Sequence, residues 1–225
     1  MNDESKYCLE YFDRAMKNEP RYMYQTINSL KKEFILFTGP MFGGKTTRML
    51  SELDKHRYKG REIFAFKPAI DNRYDKENIV SHNGGAISAN VVSSAKEMVE
   101  ILVSAGALDV EKHRFNAIPP VIALDEVFML KGAGEVLPYL FKCGATIVAS
   151  TIQLNSDGNP FEEILNIMPY ATRVEVCTAV CDICGADAFY TEKVGGRDDF
   201  EVEVGGKELY APRCFHHFSY FHKYC

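Results

Sequence analysis

Solid apolar runs alternate with stretches of helical spacing through the middle of this chain. Phe34-Ile35-Leu36-Phe37, Glu62-Ile63-Phe64-Ala65-Phe66-Lys67 up to Pro68, Val121-Ile122-Ala123-Leu124 after Pro119-Pro120, and Ala145-Thr146-Ile147-Val148-Ala149-Ser150 are short and carry little polar alternation. That is the signature of strands covered on both faces. Between them, Arg48-Met49-Leu50-Ser51-Glu52-Leu53 predicts an amphipathic helix opening at about Thr46. Ala95, Met98, Val99, Ile101 and Leu102 predict a second helix over 94–105, with Ser93 or Ser94 as its cap, and residues 135–142 predict a third. Strand and helix in alternation predict an α/β fold, a parallel sheet flanked by helices.

The pattern changes at both ends. In the first 32 residues Tyr7, Leu9, Tyr11, Phe12 and Met16, then Tyr22, Met23, Ile27 and Leu30 after Pro20, predict two short amphipathic helices that dock on the protein's own surface or on another subunit. Beyond about Arg173 the segments become short, polar and cysteine-bearing, punctuated by Gly195-Gly196 and Gly205-Gly206. Three units are expected: an N-terminal helical extension over 1–32, an α/β domain over 33–173, and a small module over 174–225.

Within that frame, Gly39-Pro40-Met41-Phe42-Gly43-Gly44-Lys45-Thr46 completes a GxxxxGK[ST] phosphate-binding loop between a predicted strand and a predicted helix. Glycines let successive backbone N–H groups approach phosphate oxygens, and the helix start presents its positive dipole end. Lys45 would reach the β/γ-phosphates and the Thr46 hydroxyl would hold Mg²⁺; Thr47 follows on the same turn. The run Val121-Ile122-Ala123-Leu124 then ends in Asp125-Glu126, where such a sheet carries its metal-side carboxylate. Asp125 is that candidate, and Glu126 is the candidate base for an attacking hydroxyl. Lys67, Asp71 and Arg73 follow the second strand on the edge where open α/β sheets bind ligands; Arg73 could steady transferred phosphate or form a surface ion pair.

The chain has 225 residues, 46% hydrophobic and 25% charged, enough for one medium domain and an appendage. A net charge of −5 and a pI near 5.7 disfavour a broad nucleic-acid or membrane surface, though not a small anion held locally. With neither a basic, apolar leader nor a membrane-length run, the expectation is a cytoplasmic protein. Seven cysteines are an odd count, read as reduced thiols. Cys181-Asp182-Ile183-Cys184 with Cys214-Phe215-His216-His217 gives a Cys181, Cys184, Cys214, His217 tetrahedral zinc set, closed and therefore structural. His216 or Cys225 could replace His217, and a redox CxxC is the non-metal alternative. Cys8, Cys143, Cys177 and Cys225 are left over as packing residues or ordinary thiols.

Assembled, these residues resemble the type II thymidine kinases, a P-loop NTPase-like family with a zinc-binding lasso. The likeness runs from about 34 to 217 through the phosphate loop, Lys67-Pro68-Ala69-Ile70-Asp71-Asn72-Arg73-Tyr74, Val80-Ser81-His82-Asn83-Gly84, Asp125-Glu126, Asn159-Pro160-Phe161, Thr178-Ala179-Val180-Cys181, Tyr190-Thr191, Val202-Glu203-Val204-Gly205-Gly206 and Tyr210-Ala211-Pro212-Arg213-Cys214. The resemblance implies ATP-dependent phosphorylation of the 5′-hydroxyl of thymidine or deoxyuridine with Glu126 as base. Asp71 and Arg73 match positions at the phosphate and metal end, Asp71 also being counted with the substrate residues. A lasso between the zinc knuckles would close over the nucleoside, with Met41, Phe161, Thr191, Val202 and Tyr210 lining its pocket. A homotetramer and inhibition by the triphosphate end product are implied as well.

Two departures from the family pattern stand out. The chain reads Asp125-Glu126-Val127-Phe128-Met129 where the family places a polar amide at the position of Phe128. It reads Ile152-Gln153-Leu154-Asn155-Ser156 where the family has Leu-Asp-x-x-Phe. Losing that Phe removes a stacking contact of about 0.5–1.5 kcal/mol, and Phe128 or Leu154 is expected to fill the space. The alternatives are a nucleoside kinase of shifted base specificity, a nucleotide-sensing protein with weakened catalysis, and a zinc-ribbon nucleic-acid binder that the acidic pI disfavours.

Overall fold

Phe34 and Leu36 enter one apolar core while Ile35 and Phe37 enter another, because strand β1 (Phe34–Thr38) is buried on both faces. This is why its sequence is a solid run rather than an alternation. The computed structural model describes residues 32–71, 77–81, 83–195 and 203–222. The expected N-terminal helices, together with Arg73, Val202, Cys8 and Cys225, lie outside the described residues.

After β1 come α1 (Lys45–Tyr58), β2 (Ile63–Pro68), a hairpin of β3 (Asn78–Val80) and β4 (Ala86–Ser88), β5 (Asn90–Val92) and α2 (Ala95–Ser104). A second hairpin, β6 (Leu108–Asp109) with β7 (Arg114–Phe115), precedes β8 (Val121–Leu124), α3 (Ala133–Lys142), β9 (Thr146–Thr151), α4 (Glu162–Ile167) and β10 (Arg173–Val176). Six strands form one parallel sheet in the order β10-β1-β9-β8-β2-β5. Helix α1 covers one face through Met49, Leu50 and Leu53. The other face is covered by α2, α3 and α4 through Met98, Leu102, Leu137, Leu140, Ile164 and Ile167. Among the described residues no helix is long and apolar enough to cross a membrane.

The four central strands and three long helices coincide with the apolar pattern of the sequence. Ser94 does take the extended N-cap position of α2, but its hydroxyl makes no capping bond; the Glu97 carboxylate instead accepts the Ser93 N–H at 2.9 Å. The carboxylate thus satisfies a backbone donor one residue before the cap, a near relative of the capping box rather than the box itself. Strands β5 and β10 were not indicated by pattern, since each lies at a sheet edge and exposes part of its length. The expected division at 173/174 falls inside β10. Arg173-Val174-Glu175-Val176 reads as polar alternation, yet it pairs with β1 and is tied to α1 by Arg173–Glu52 at 2.6 Å and by an Arg48–Glu175 ion pair.

The remaining chain forms two small antiparallel ladders, β11 (Ala179–Val180) with β12 (Asp187–Ala188) and β13 (Tyr190–Lys193) with β14 (Tyr210–Arg213). They stand over the carboxyl edge of the sheet, where β1, β2, β8 and β9 all release their loops. That edge is where ligands bind in open parallel sheets.

Candidate active site

The loop from Gly39 to Gly44 leaves β1 and wraps onto the start of α1. Two of its glycines are required by packing against the end of β10: a Cβ on Gly39 would meet the Cys177 carbonyl oxygen at 2.0 Å, and one on Gly43 would meet it at 2.8 Å. Gly39 (φ 135), Phe42 (φ 66) and Gly44 (φ 74) lie in left-handed or glycine-favoured backbone. The Lys45 ammonium folds back over the loop and donates to the Pro40 carbonyl at 2.8 Å. The result is a nest whose backbone N–H groups open onto the sheet edge, as an anion cradle requires.

Register sets the acidic side of this cleft. Leu124 on β8 pairs with Ala149 on β9, so Asp125 follows beside Ser150. The Ser150 hydroxyl donates to Asp125 Oδ1, and the Thr46 hydroxyl donates to Asp125 Oδ2 at 3.1 Å. Burial, with the neighbouring negative charges of Glu126 and Asp71, raises the Asp125 carboxyl to about 6, against the two hydroxyls that lower it. Three carboxylates converging on one buried cleft favour a cation there. Glu126 adopts φ 52, unusual for a side chain of its size, and this turn re-aims the chain from β8 into the 3-10 turn Val127–Met129.

Two clefts meet at Glu126. One, about 700 Å³ counted to its open mouth, is lined by Lys45, Thr46, Thr47, Lys67, Asp71 and Asp125 among others. Its neighbour, about 470 Å³, is walled by Phe128, Leu154, Phe161, Thr191, Glu203 and Tyr210 among others. Met41 and Glu126 line both. Of the residues expected on the substrate side, Met41, Phe128, Phe161, Thr191 and Tyr210 come together in the second cleft, while Asp71 lies in the first. The rings of Phe128 and Phe161 pack at 4.8 Å, and Leu154 stands on the same wall. Tyr210 donates from its hydroxyl to the Glu203 carbonyl at 2.7 Å, and Glu203 pairs with Lys193 at 2.9 Å. Residues from both ends of the segment between β13 and β14 are thereby joined.

Above the clefts, Cys181, Cys184, Cys214 and His217 bring their ligand atoms within 4.8 Å of one another. Sγ of Cys184 and of Cys214 are 3.7 Å apart, and His217 Nδ1 lies 3.3 Å and 3.7 Å from the sulfurs of Cys214 and Cys181. A tetrahedron with zinc bonds of the usual length has edges of about 3.8 Å between sulfurs and about 3.5 Å between sulfur and nitrogen. The cluster fits a zinc ion through Nδ1 of His217, not His216. Burial works against ionisation of Cys181, but the backbone N–H groups of Cys214, Ile183 and Cys184 and the His217 ring offset it and bring the thiol down to about 6. Arg213 pins the two knuckles together through Asp182 and, at 2.5 Å, Glu192.

The cluster is coupled to the phosphate loop. Thr191 Oγ1 on β13 accepts the Met41 N–H at 2.9 Å. The Gln153 amide accepts from the Thr38 hydroxyl at 2.8 Å and donates to the Phe189 carbonyl at 3.2 Å. The sequence model of the thymidine kinase family matches residues 32–218. A thymidine kinase of Pyrobaculum aerophilum is 32% identical over 190 residues, covering 82% of this chain and 97% of the relative. One of Thermococcus kodakarensis is 33% identical over 188 residues, covering 81% and 91% respectively. The chain belongs to the thymidine kinase family.

As a thymidine kinase family member it carries two working parts that motif reading passed over. Ser150, which holds Asp125, is visible only as a hydroxyl closing an otherwise apolar strand. Gln153 stands out in the sequence as a departure, but its bridging of Thr38 to Phe189 depends on which elements are neighbours.

Proposed function

We propose that this chain transfers the terminal phosphoryl group of ATP to the 5′-hydroxyl of thymidine or deoxyuridine, with Glu126 as the proton acceptor. The observation that carries the reading is the position of Glu126 at the junction of the two clefts. A triphosphate in the glycine cradle and a nucleoside between Phe128, Phe161 and Tyr210 would then meet at its carboxylate.

The nest of 39–44 binds and orients the phosphates, and Lys45 balances their charge. Thr46 and Asp125 would hold Mg²⁺, which when bound neutralises charge on the phosphate oxygens. Ser150 keeps the Asp125 carboxylate turned toward Thr46. As the 5′-oxygen forms its bond to the terminal phosphorus, the bond from that phosphorus to the bridging oxygen breaks and ADP leaves; the hydroxyl proton passes to Glu126. Asp71 and Arg73 are assigned to the phosphate end, and Val202, with Thr191 and Tyr210, to a lasso over the nucleoside. Closing that lasso excludes water, which would otherwise compete as acceptor. Cys181, Cys184, Cys214 and His217 would hold a structural Zn²⁺, which when bound would anchor the lasso. From the family resemblance the reading extends to a cytoplasmic homotetramer inhibited by the triphosphate end product.

Glu126→Gln tests the reading in a radiolabelled phosphate-transfer assay. Turnover should fall roughly 10²–10⁴-fold while ATP still raises the melting temperature. Undiminished transfer by the variant would overturn the assignment. A second reading, shifted base preference, draws on the Phe128–Phe161 pair and on Ser156 at the cleft wall. A nucleoside panel with Phe128→Ala decides it: an unchanged preference removes Phe128 from base selection.

A further inference from the structure

The segment Ser219–His222 forms one 3-10 turn just past residue 218, where the match to the family ends. Its Tyr220 ring lies against Gly158, so closely that a Cβ there would stand 2.5–2.7 Å from three ring carbons. Gly158 belongs to the loop between β9 and α4, whose Leu154, Asn155 and Ser156 wall the second cleft.

Within itself this loop is well determined. Asn155 Oδ1 accepts the N–H groups of Asp157 at 3.0 Å and Asn159 at 2.9 Å, the Asn155 N–H donates to the Asn159 carbonyl at 2.9 Å, and Leu154 bridges Pro160. A loop closed on itself still needs contacts that fix its attitude toward the body. Tyr220 supplies one from outside the cleft. The ring is carried by a firm support: Phe218 is fully buried and stacks on Tyr190 at 4.9 Å, its N–H donates to the Cys214 carbonyl at 3.1 Å, and the Ser219 N–H donates to Glu192 Oε1 at 3.0 Å. A continuous path therefore runs from the Cys214 knuckle through Phe218 and Tyr220 to the cleft wall.

We infer that Tyr220 is a positioning residue for that wall, holding Leu154, Asn155 and Ser156 where a nucleoside base would contact them. The inference rests on reading the second cleft as the nucleoside site. Glycine at 158 is then required twice, by its positive φ of 76 and by the ring that occupies the place of its side chain.

Tyr220→Ala, Tyr220→Phe and Gly158→Ala in the full-length protein test this by two independent readouts. In steady-state kinetics, Tyr220→Ala should raise the KM for thymidine roughly three- to tenfold, leaving the KM for ATP and the zinc content unchanged. Tyr220→Phe should behave as the parent, because the ring face makes the contact. Gly158→Ala should resemble Tyr220→Ala, and the double variant should lose less than the sum of the two. In amide exchange, a peptide spanning 154–160 should exchange faster in Tyr220→Ala and not in Tyr220→Phe. Equal rises in both KM values, loss of zinc, or unchanged exchange in 154–160 would each overturn the brace. If the parent enzyme phosphorylates no nucleoside, the reading of the cleft fails, and the exchange measurement alone still decides whether Tyr220 holds the loop.

Discussion

Gly39→Ala and Gly44→Ala separate two reasons why a phosphate loop carries glycine. At Gly39 an added Cβ would sit 2.0 Å from the Cys177 carbonyl oxygen, at a φ of 135. Neither side can yield: β10 is paired to β1 and the Cys177 N–H donates to the Thr38 carbonyl at 2.7 Å. Backbone strain of about 1–3 kcal/mol and overpacking of about 1–3 kcal/mol add to roughly 2–6 kcal/mol. Gly44, at φ 74, has nothing within 4 Å of its Cβ position, so only the left-handed penalty of about 1–2 kcal/mol applies. In a chain of this size each kcal/mol moves the melting temperature by about 2–4 °C. Scanning calorimetry without nucleotide should therefore show Gly39→Ala down by roughly 5–20 °C and Gly44→Ala by only a few degrees. Equal shifts, or a larger one for Gly44→Ala, would refute the account of the Cys177 carbonyl as the wall behind the loop.

Three further outcomes follow from other parts of the molecule. Removing zinc with a chelator, or Cys184→Ser, should speed amide exchange in 179–193 and 210–218 before the sheet is affected; simultaneous loss of both would show that the cluster does not fold the module locally. Burial, with the charges of Arg61 and Lys59 nearby, lowers the His56 ring to about 4 against 6.5 unfolded. The unfolded chain thus binds the extra proton between those values, so the contribution of His56 to stability should be flat above pH 6.5 and fall toward pH 4 by at most about 3 kcal/mol; the stability difference between the parent and His56→Leu in denaturant titrations should follow that course, and a difference independent of pH would reject it. Gln153→Glu keeps an acceptor for Thr38 but turns a carboxylate oxygen toward the Phe189 carbonyl, and should cost about 1–3 kcal/mol in urea unfolding; a variant as stable as the parent would dismiss the bridge.

What the sequence disclosed and what it withheld divide along a physical line. The phosphate loop, the acidic strand end and the two cysteine knuckles were legible because each depends on local backbone demands: glycine where φ turns positive, a lysine and a hydroxyl at a helix start, paired ligands on a tight turn. The central strands were legible because burial on both faces leaves no room for polar alternation. Strand β10 escaped notice for the opposite reason, since an edge strand bordered by α1 can carry Arg173 and Glu175 and still pair with β1.

The supports of the site belong to a third class, in which the information lies in neighbourhood. Nothing near Ser150 announces a role until β9 is known to lie beside β8; once Leu124 faces Ala149, a hydroxyl at the next position must stand beside Asp125. Gln153 works the same way, for its amide joins Thr38 on one flank to Phe189 on the other only because β9 adjoins β1 and the zinc module sits above both. The glycines of the phosphate loop carry both kinds of information. Their positive φ values belong to the motif, but the carbonyl that crowds Gly39 and Gly43 comes from Cys177, at the end of a strand that the motif does not contain. A substitution at Cys177 that shifts its backbone should therefore disturb the cradle while leaving all eight motif residues intact.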